Sequence, residues 1–544
     1  MKQHSRLSIG PALIGASTLL AALILAIPGT SLLGSGIASA NQEFSYNSVI
    51  DLAQELSKNP YVEAAPLPEP FSPLDYDAWR DIRFDPEKSL WRKQKLPFEV
   101  QLFHPGFLYQ NTVSINIVDN GKAEELPVEK SMFTYGRNRT LGEQLPEVIG
   151  AAGFRIHAPI NTRKYFDEFL VFLGASYFRA VGKGQNYGIS ARGLAVDTAL
   201  PKGEEFPWFR KFWIVKPNRK DKDLVIYALL DSQSLTGAYA FRVWPGTTTQ
   251  VDVAARIFLR NPVEKLGFAP LTSMFFYGEN SLPSPRMGWR PEVHDSDGLL
   301  VNLANGEWLW RPLQNLRTLQ LSSFEANDVQ GFGVLQRDRN FHDYEDLEAH
   351  YEQRPSVWIE PIGAWGNGHM ELVQIPSDQE IHDNIVAYWT PDTLPTDDQP
   401  LAFEYRMRWM GDPAELSPGG YVTSTRVGRV HKQEDAKEEQ DGEVYIFVVD
   451  FGGETLAKID PDEEELSANV DVGQGAELLE QQVFPNPETK GWRLSFKVRF
   501  ASKSTLERML PDKEGPIELR AFLRHKDDVL SETWSYTFKP ELQE

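Results

Sequence analysis

From about Pro97 onward, turn residues divide the chain into short apolar runs. "FEVQLFHPG", "NTVSINIVDNG", "DLVIYALLDS", "AYAFRVWPGTTTQVDVAARIFLR", "GFGVLQRD" and "GHMELVQIP" are rich in Val, Ile, Phe and Tyr, and Asn-Gly, Pro-Gly or Asp-Ser bounds several of them. Runs of this length predict strands joined by tight turns, not the alternating strands and helices of βαβ units. No repeat of fixed period connects them. The expected fold class is all-β, with a large antiparallel sandwich as its main body.

At 544 residues the chain exceeds one ordinary core, and two domains are expected. Residues 41–95 read as an entry segment. "NSVIDLAQELSKNP" has helical apolar spacing and ends at Asn59-Pro60, and "YDAWRDIRF" predicts a second short helix. Pro391, Pro395 and Pro400, interspersed with Asp, make 391–400 a stiff polar linker. It divides a sandwich domain at 41–390 from a smaller domain at 401–544. In the latter, "LAFEYRMRWM", "VYIFVVDFGG", "GWRLSFKVRFAS", "PIELRAFLRHKD" and "SETWSYTFKP" largely alternate apolar and polar residues. About seven such strands suggest an immunoglobulin-type sandwich. The charge run His431–Glu443 reads as a solvated loop.

Charge and cysteine content narrow the function. The formal net charge of −22 repels nucleic acid and anionic lipid, so neither is an expected partner. The chain has no Cys, which excludes disulfides, thiol catalysis and Cys-based metal sites. Residues 1–40 combine Lys2 and Arg6, an apolar run and Ala38-Ser39-Ala40, the pattern of a cleaved secretory signal. A secreted protein without disulfides fits a bacterial periplasm.

No phosphate loop, nucleotide fingerprint, HExxH or G-x-S-x-G motif is present. His294-Asp295-Ser296-Asp297 has a metal-ligand composition but no second cluster at a recognisable spacing, so neither metal nor cofactor is expected. Paired carboxylates remain, as needed to hydrolyse a glycosidic bond. Asp295 lies in a polar loop flanked by aromatics. Asp383 opens the apolar run of "DNIVAYWTPD", where desolvation is expected to raise its pKa. Each also fits a plainer role, as a turn-former or a strand cap. Trp289, Trp308, Trp310, Trp358, Trp365 and Trp389 are sugar platforms or core, with at least half expected to be core. Trp308 and Trp310 alternate around Leu309 and should share one face of a strand.

Specific stretches add a resemblance. "FRIHAPIN", "FLGASYFRAVGKGQNYGISARGLAVDT", "EEFPWFRKFWI", "TSMFFYGEN", "RPEVHDSDGL", "NGEWLWRPL", "GFGVLQRDRNFHDYEDLEAHYEQRPSVW" and "HDNIVAYWTP" follow one another in the order of the bacterial glucans biosynthesis proteins G and D, which the chain resembles. The resemblance implies a galactose-mutarotase-like N-terminal sandwich joined to an immunoglobulin-like domain. It implies periplasmic action on β-1,2-glucan beside a membrane glucosyltransferase, and it allows a homodimer. Some members resemble anomer-inverting endo-β-1,2-glucanases, a pattern that makes Asp383 the general acid and Asp295 the general base, with Tyr351 in a proton relay. Arg354, His294, Trp308, Trp310, Trp365 and Trp389 are then expected to contact substrate. Met1–Ala40 lacks a twin-Arg pair and looks like the G type, which implies a weaker hydrolase or a glucan handler. A non-catalytic scaffold guiding nascent glucan is the alternative. A mutarotase or epimerase, by analogy of fold alone, is weaker still.

Overall fold

The computed structural model describes residues 43–539 apart from 65–66, 68, 70, 72–73, 284–286, 396–398, 414–415, 431–441, 463–464 and 501–515. The expected signal segment 1–40, part of the expected linker 391–400 and most of the charge run lie outside the described residues.

The two expected helices of the entry segment form at Tyr46–Ser57 and Tyr76–Asp81. The first buries Val49 and Ala53 in a small cluster with Trp213, Ala238 and Phe258. Beyond them the described residues are mostly strand, as the punctuation of the sequence predicts, with short α-helices only at Arg139–Gln144, Phe341–Tyr344 and Glu454–Ala457.

Among the described residues two large sheets face each other. One has ten strands, in the order Glu99–Phe103, Gly153–Ala158, Asp167–Leu173, Tyr177–Ala180, Ser190–Arg192, Leu266–Ser273, Ile385–Pro391, Gly368–Gln374 and Gln320–Glu325, with Ala195–Val196 beside Leu266–Ser273. The other has fifteen and includes the hairpin ladder Trp208–Val215, Leu224–Asp231, Leu235–Trp244 and Thr249–Leu259. Period-two sequence becomes period-two burial in Thr249–Leu259, where Val251, Val253, Ala255 and Ile257 point into the core. Rings from both sheets meet there. Phe172 of the first sheet lies 5.3 Å from Phe212 and 5.1 Å from Phe241 of the second, both edge to face.

Strand Leu401–Met410 was expected at the head of the smaller domain. Its hydrogen bonds place it within the fifteen-stranded sheet, between Thr249–Leu259 and Ser356–Pro361. Its inward residues Phe403, Tyr405, Met407 and Trp409 join the main core. The same sheet then continues into C-terminal sequence. Trp308–Pro312 pairs in parallel with Thr533–Phe538, which pairs with Ile517–His525. A four-stranded sheet, Tyr421–Arg429, Glu443–Gly452, Gly491–Phe500 and Ala476–Asn486, belongs to this end of the molecule. Phe447, Phe496, Trp534 and Tyr536 pack together there, in a second cluster that also takes in Trp310, Trp358 and Met410. The smaller sandwich thus shares both backbone pairing and apolar packing with the larger one.

Candidate functional site

Asp383 sits just before strand Ile385–Pro391. Its neighbour Asn384 fixes the entry, because the Asn384 side chain accepts from the Phe275 amide (2.8 Å) and donates to the carbonyls of Phe275 (2.9 Å) and Ile375 (3.2 Å). Asp383 itself turns outward, with about a third of its side chain exposed, and faces the Arg179 guanidinium at 3.7 Å. Arg179 Nε is anchored on Ser190 Oγ at 2.6 Å. The cavity at this point holds about 470 Å³ and is walled by Phe103, Tyr109, Glu168, Tyr177, Tyr187 and Asp383. Aromatic rings with a few polar groups suit the apolar faces and hydroxyl rims of sugars.

Asp295 is the more buried of the two carboxylates. The loop that carries it is pinned on every side. The Asp295 amide donates to Met274 O (2.8 Å), Ser296 and Ser273 share a hydroxyl bond (2.8 Å), and Asp297 Oδ2 accepts from the amides of Arg337 (2.7 Å) and Asp338 (3.2 Å). Asp295 Oδ1 accepts from Arg354 Nη1. Burial pushes the Asp295 carboxyl up to about 6 against the opposing pull of Arg354, and the nearby negative charge of Asp383 adds to the rise. The two aspartates, 88 positions apart (383 less 295), therefore feel each other across one site. The expectation that Asp383 would be the desolvated partner is reversed in this structure, where Asp295 holds that position.

Tyr351 opens a short 3₁₀ turn, Tyr351–Gln353, and its ring lies 4.3 Å from the Arg354 guanidinium. Burial and the charge of Glu380 hold its hydroxyl well above the usual tyrosine range, so it stays neutral and can both donate and accept a hydrogen bond. Arg354 packs tightly along Gly188, where an added Cβ would stand 3.0 Å from Arg354 Cβ and Cδ. The absence of a side chain at Gly188 lets the guanidinium reach Asp295.

The structure brings Asp295, Asp383, Tyr351 and Arg354 together but separates the other expected site residues from them. The His294 ring is fully buried between Phe275 and Tyr344 and bonds to Glu292 (2.8 Å), so it shapes the loop and offers no edge to a ligand. Trp308 and Trp310 do share a face, and that face is core. Trp308 stacks on Trp358, and Trp310 lies beneath Arg337 at 3.5 Å. Trp389 is fully buried against Phe268 and Trp365, and its Nε1 donates to Ala326 O. Trp365 is half-buried in the same cluster and donates to Glu404 O. Of the six tryptophans weighed, Trp310, Trp358 and Trp389 are buried and Trp289 is exposed. Trp389→Ala is expected to cost about 3–5 kcal/mol in denaturant unfolding, through the cavity left and the lost ring contacts. A loss under 1 kcal/mol would remove Trp389 from the core account.

Arg179, Tyr109, Tyr177 and Tyr187 belong to the site and were not singled out from the sequence. The last three are spread over loops and a short strand with no common spacing. Arg179 shares the run "SYFRAVGKGQNYG" with a second cation, Lys183, and nothing in the sequence sets it apart.

Known proteins match nearly the whole chain. The family model described as "Periplasmic glucan biosynthesis protein, MdoG" matches residues 44–538. Glucans biosynthesis protein G of Ralstonia nicotianae is 47% identical over 94% of this chain and 99% of its own length. The proteins of that name from Serratia proteamaculans and Pseudomonas aeruginosa are 44% and 45% identical, over 93% and 92% of this chain and 95% and 94% of their own lengths. The chain belongs to the MdoG family of periplasmic glucan biosynthesis proteins.

Proposed function

We propose that this protein acts in the periplasm on β-1,2-glucan during glucan biosynthesis, and that it hydrolyses the polymer with inversion. Asp383, at the open wall of the cleft, protonates the leaving oxygen. Asp295, deeper and held by Arg354, removes a proton from the attacking water through Tyr351 and a substrate hydroxyl. Inversion requires two carboxyl groups far enough apart to admit a water, typically about 6.5–9.5 Å, or a relay where the path is longer. The observation that carries this reading is the placing of two aspartates from distant segments near each other, Asp383 on the wall of an aromatic cleft and Asp295 on the pinned loop held by Arg354.

The test is incubation of linear β-1,2-glucan with the purified mature chain, read by chain length and by the anomer released. Shortened chains whose new reducing ends appear first as the α-anomer support inversion, and β-anomer would overturn it. Glucan that is bound yet unchanged in length would favour the scaffold reading, in which the same cleft guides nascent polymer from a membrane glucosyltransferase.

A pH dependence accompanies the base assignment. Asp295 works only when ionised, and its carboxyl is raised from 3.8 to about 6. As pH falls through that value the base is protonated, so kcat/KM is expected to fall about tenfold per unit below it. An acid limb centred near pH 4 would show that Asp295 is not the base.

A further inference from the structure

The cleft does not stop at Asp383. Two of its wall residues, Tyr109 and Tyr177, also border an adjoining cavity of about 100 Å³, which Leu108, Gln110 and Asn111 line as well. From Tyr109 a line of rings runs away from the cleft. Tyr109 lies 4.9 Å from Trp79, Trp79 lies 6.4 Å from Phe107, and Phe107 lies 5.7 Å from Tyr76. We propose that this line, with Leu108 beside it, is an outer platform on which a β-1,2-glucan chain rests beyond the glucosyl units held at Asp383.

The local backbone carries the inference. Gly106 and Tyr109 exchange two backbone hydrogen bonds (3.0 and 2.9 Å) and close a tight turn with Phe107 and Leu108 at its tip. Phe107 stands at φ +56°, in the left-handed region that a bulky side chain enters only under strain. Glycine takes that conformation freely, so closing the turn does not require a ring here. Leu108 follows it and is 75% exposed, and Tyr76 at the far end of the line is 51% exposed. A single exposed apolar residue is ordinary. A strained turn that presents one beside a cleft, next to a row of rings, marks a surface built to be covered.

A purely structural role accounts for only part of the line. Trp79 seats the short helix Tyr76–Asp81, since its ring is half-buried and its Nε1 donates to His104 O at 2.8 Å. Tyr76 and Leu108 add little to that seating, because half or more of each stays in solvent. Rings beside the side-chain amides of Gln110 and Asn111 match the apolar faces and hydroxyl rims of a neutral sugar chain. The net charge of −22 disfavours a polyanion in the same place. The ligand class rests on the glucan function proposed above, whereas the rings and the turn define the surface.

The test is titration calorimetry on the mature full-length chain carrying Asp383→Asn, which holds the length of the sugar fixed. A β-1,2-linked trisaccharide and a long linear β-1,2-glucan are each titrated into that parent and into the same protein with Tyr76→Ala and Leu108→Ser added. Both added positions face solvent, so the melting temperature should match the parent. The added pair should weaken binding of the long glucan about tenfold, the scale of one lost ring contact with its apolar neighbour, and leave the trisaccharide unchanged. Equal affinity for the long glucan with and without the added pair overturns the platform. An equal loss for both sugars also overturns it, because the effect then lies inside the cleft. A parent that binds neither sugar overturns the glucan function itself, and the platform's ligand with it. If the paired variant melts lower, Leu108→Ser alone decides, with a loss confined to the long glucan in favour and no loss against.

Discussion

Asp383→Asn is expected to lower β-1,2-glucan cleavage by about two to four powers of ten while leaving the affinity for glucan nearly unchanged. Proton donation to a leaving oxygen contributes on that scale, and an amide cannot supply it. The residue is well placed for an isolated loss. It lies outside the hydrogen-bonded strand, a third of its side chain is exposed, and its one ion pair among the described residues is a 3.7 Å contact with Arg179. Folding therefore depends little on its charge, and near-UV circular dichroism and the melting temperature should match wild type. Reducing-end release under single turnover gives the rate, and calorimetry gives binding. A second readout separates acid loss from misplacement of substrate. A β-glucoside chain ending in an acidic phenol needs no protonation to depart, so Asp383→Asn should cleave it near the wild-type rate. Equal cleavage of natural glucan by both proteins would sink the acid assignment, and an equal loss on both substrates would move Asp383 to a positioning role.

The strands were legible because their determinants are local. Alternation in Thr249–Leu259 tells which residues face inward, and Asn-Gly or Pro-Gly marks where a run ends. Strand order is set by partners far along the chain. The period of "LAFEYRMRWM" identifies Phe403, Tyr405, Met407 and Trp409 as the buried face but does not say which core receives them. Proline and aspartate upstream suggested a break, whereas the sheet runs on through the strand that follows. The site divided in a similar way. Asp295 and Asp383 could be named from motifs, yet their surroundings could not. A polar loop such as "HDSD" reads as solvated, but here its backbone and side chains find partners in Met274, Ser273, Arg337 and Asp338, so it can be buried. An aspartate before an apolar strand reads as desolvated, but Asn384 completes the strand's hydrogen bonding and leaves Asp383 to the cleft. Arg179 was missed because one arginine in a period-two strand looks like any outward residue.

Arg337→Met is expected to destabilise the fold by about 3–5 kcal/mol, the usual cost of leaving one member of a buried ion pair alone. Glu532 is 1% exposed, and both of its oxygens are used, Oε1 by Arg337 (2.8 Å) and Oε2 by Arg337 (3.0 Å) and by the Val422 amide (3.0 Å). Arg337 also donates to Val422 O and lies over Trp310 at 3.5 Å. One side chain thus fastens the strand exit beside Asp297 to the first strand of the four-stranded sheet and to the C-terminal segment. Methionine fills the space of the stem but leaves the Glu532 carboxylate uncompensated. Glu532→Gln should cost less, since the amide oxygen can still accept from Arg337 and Val422. The double variant Arg337→Met with Glu532→Gln should recover part of the loss, because no charge is then left unpaired, and denaturant unfolding of all four proteins closes the cycle. A double variant whose loss equals the sum of the singles would mean that the pair is not coupled. A recovery would place the bond between the two sandwiches among the interactions that hold the Asp295 loop in register.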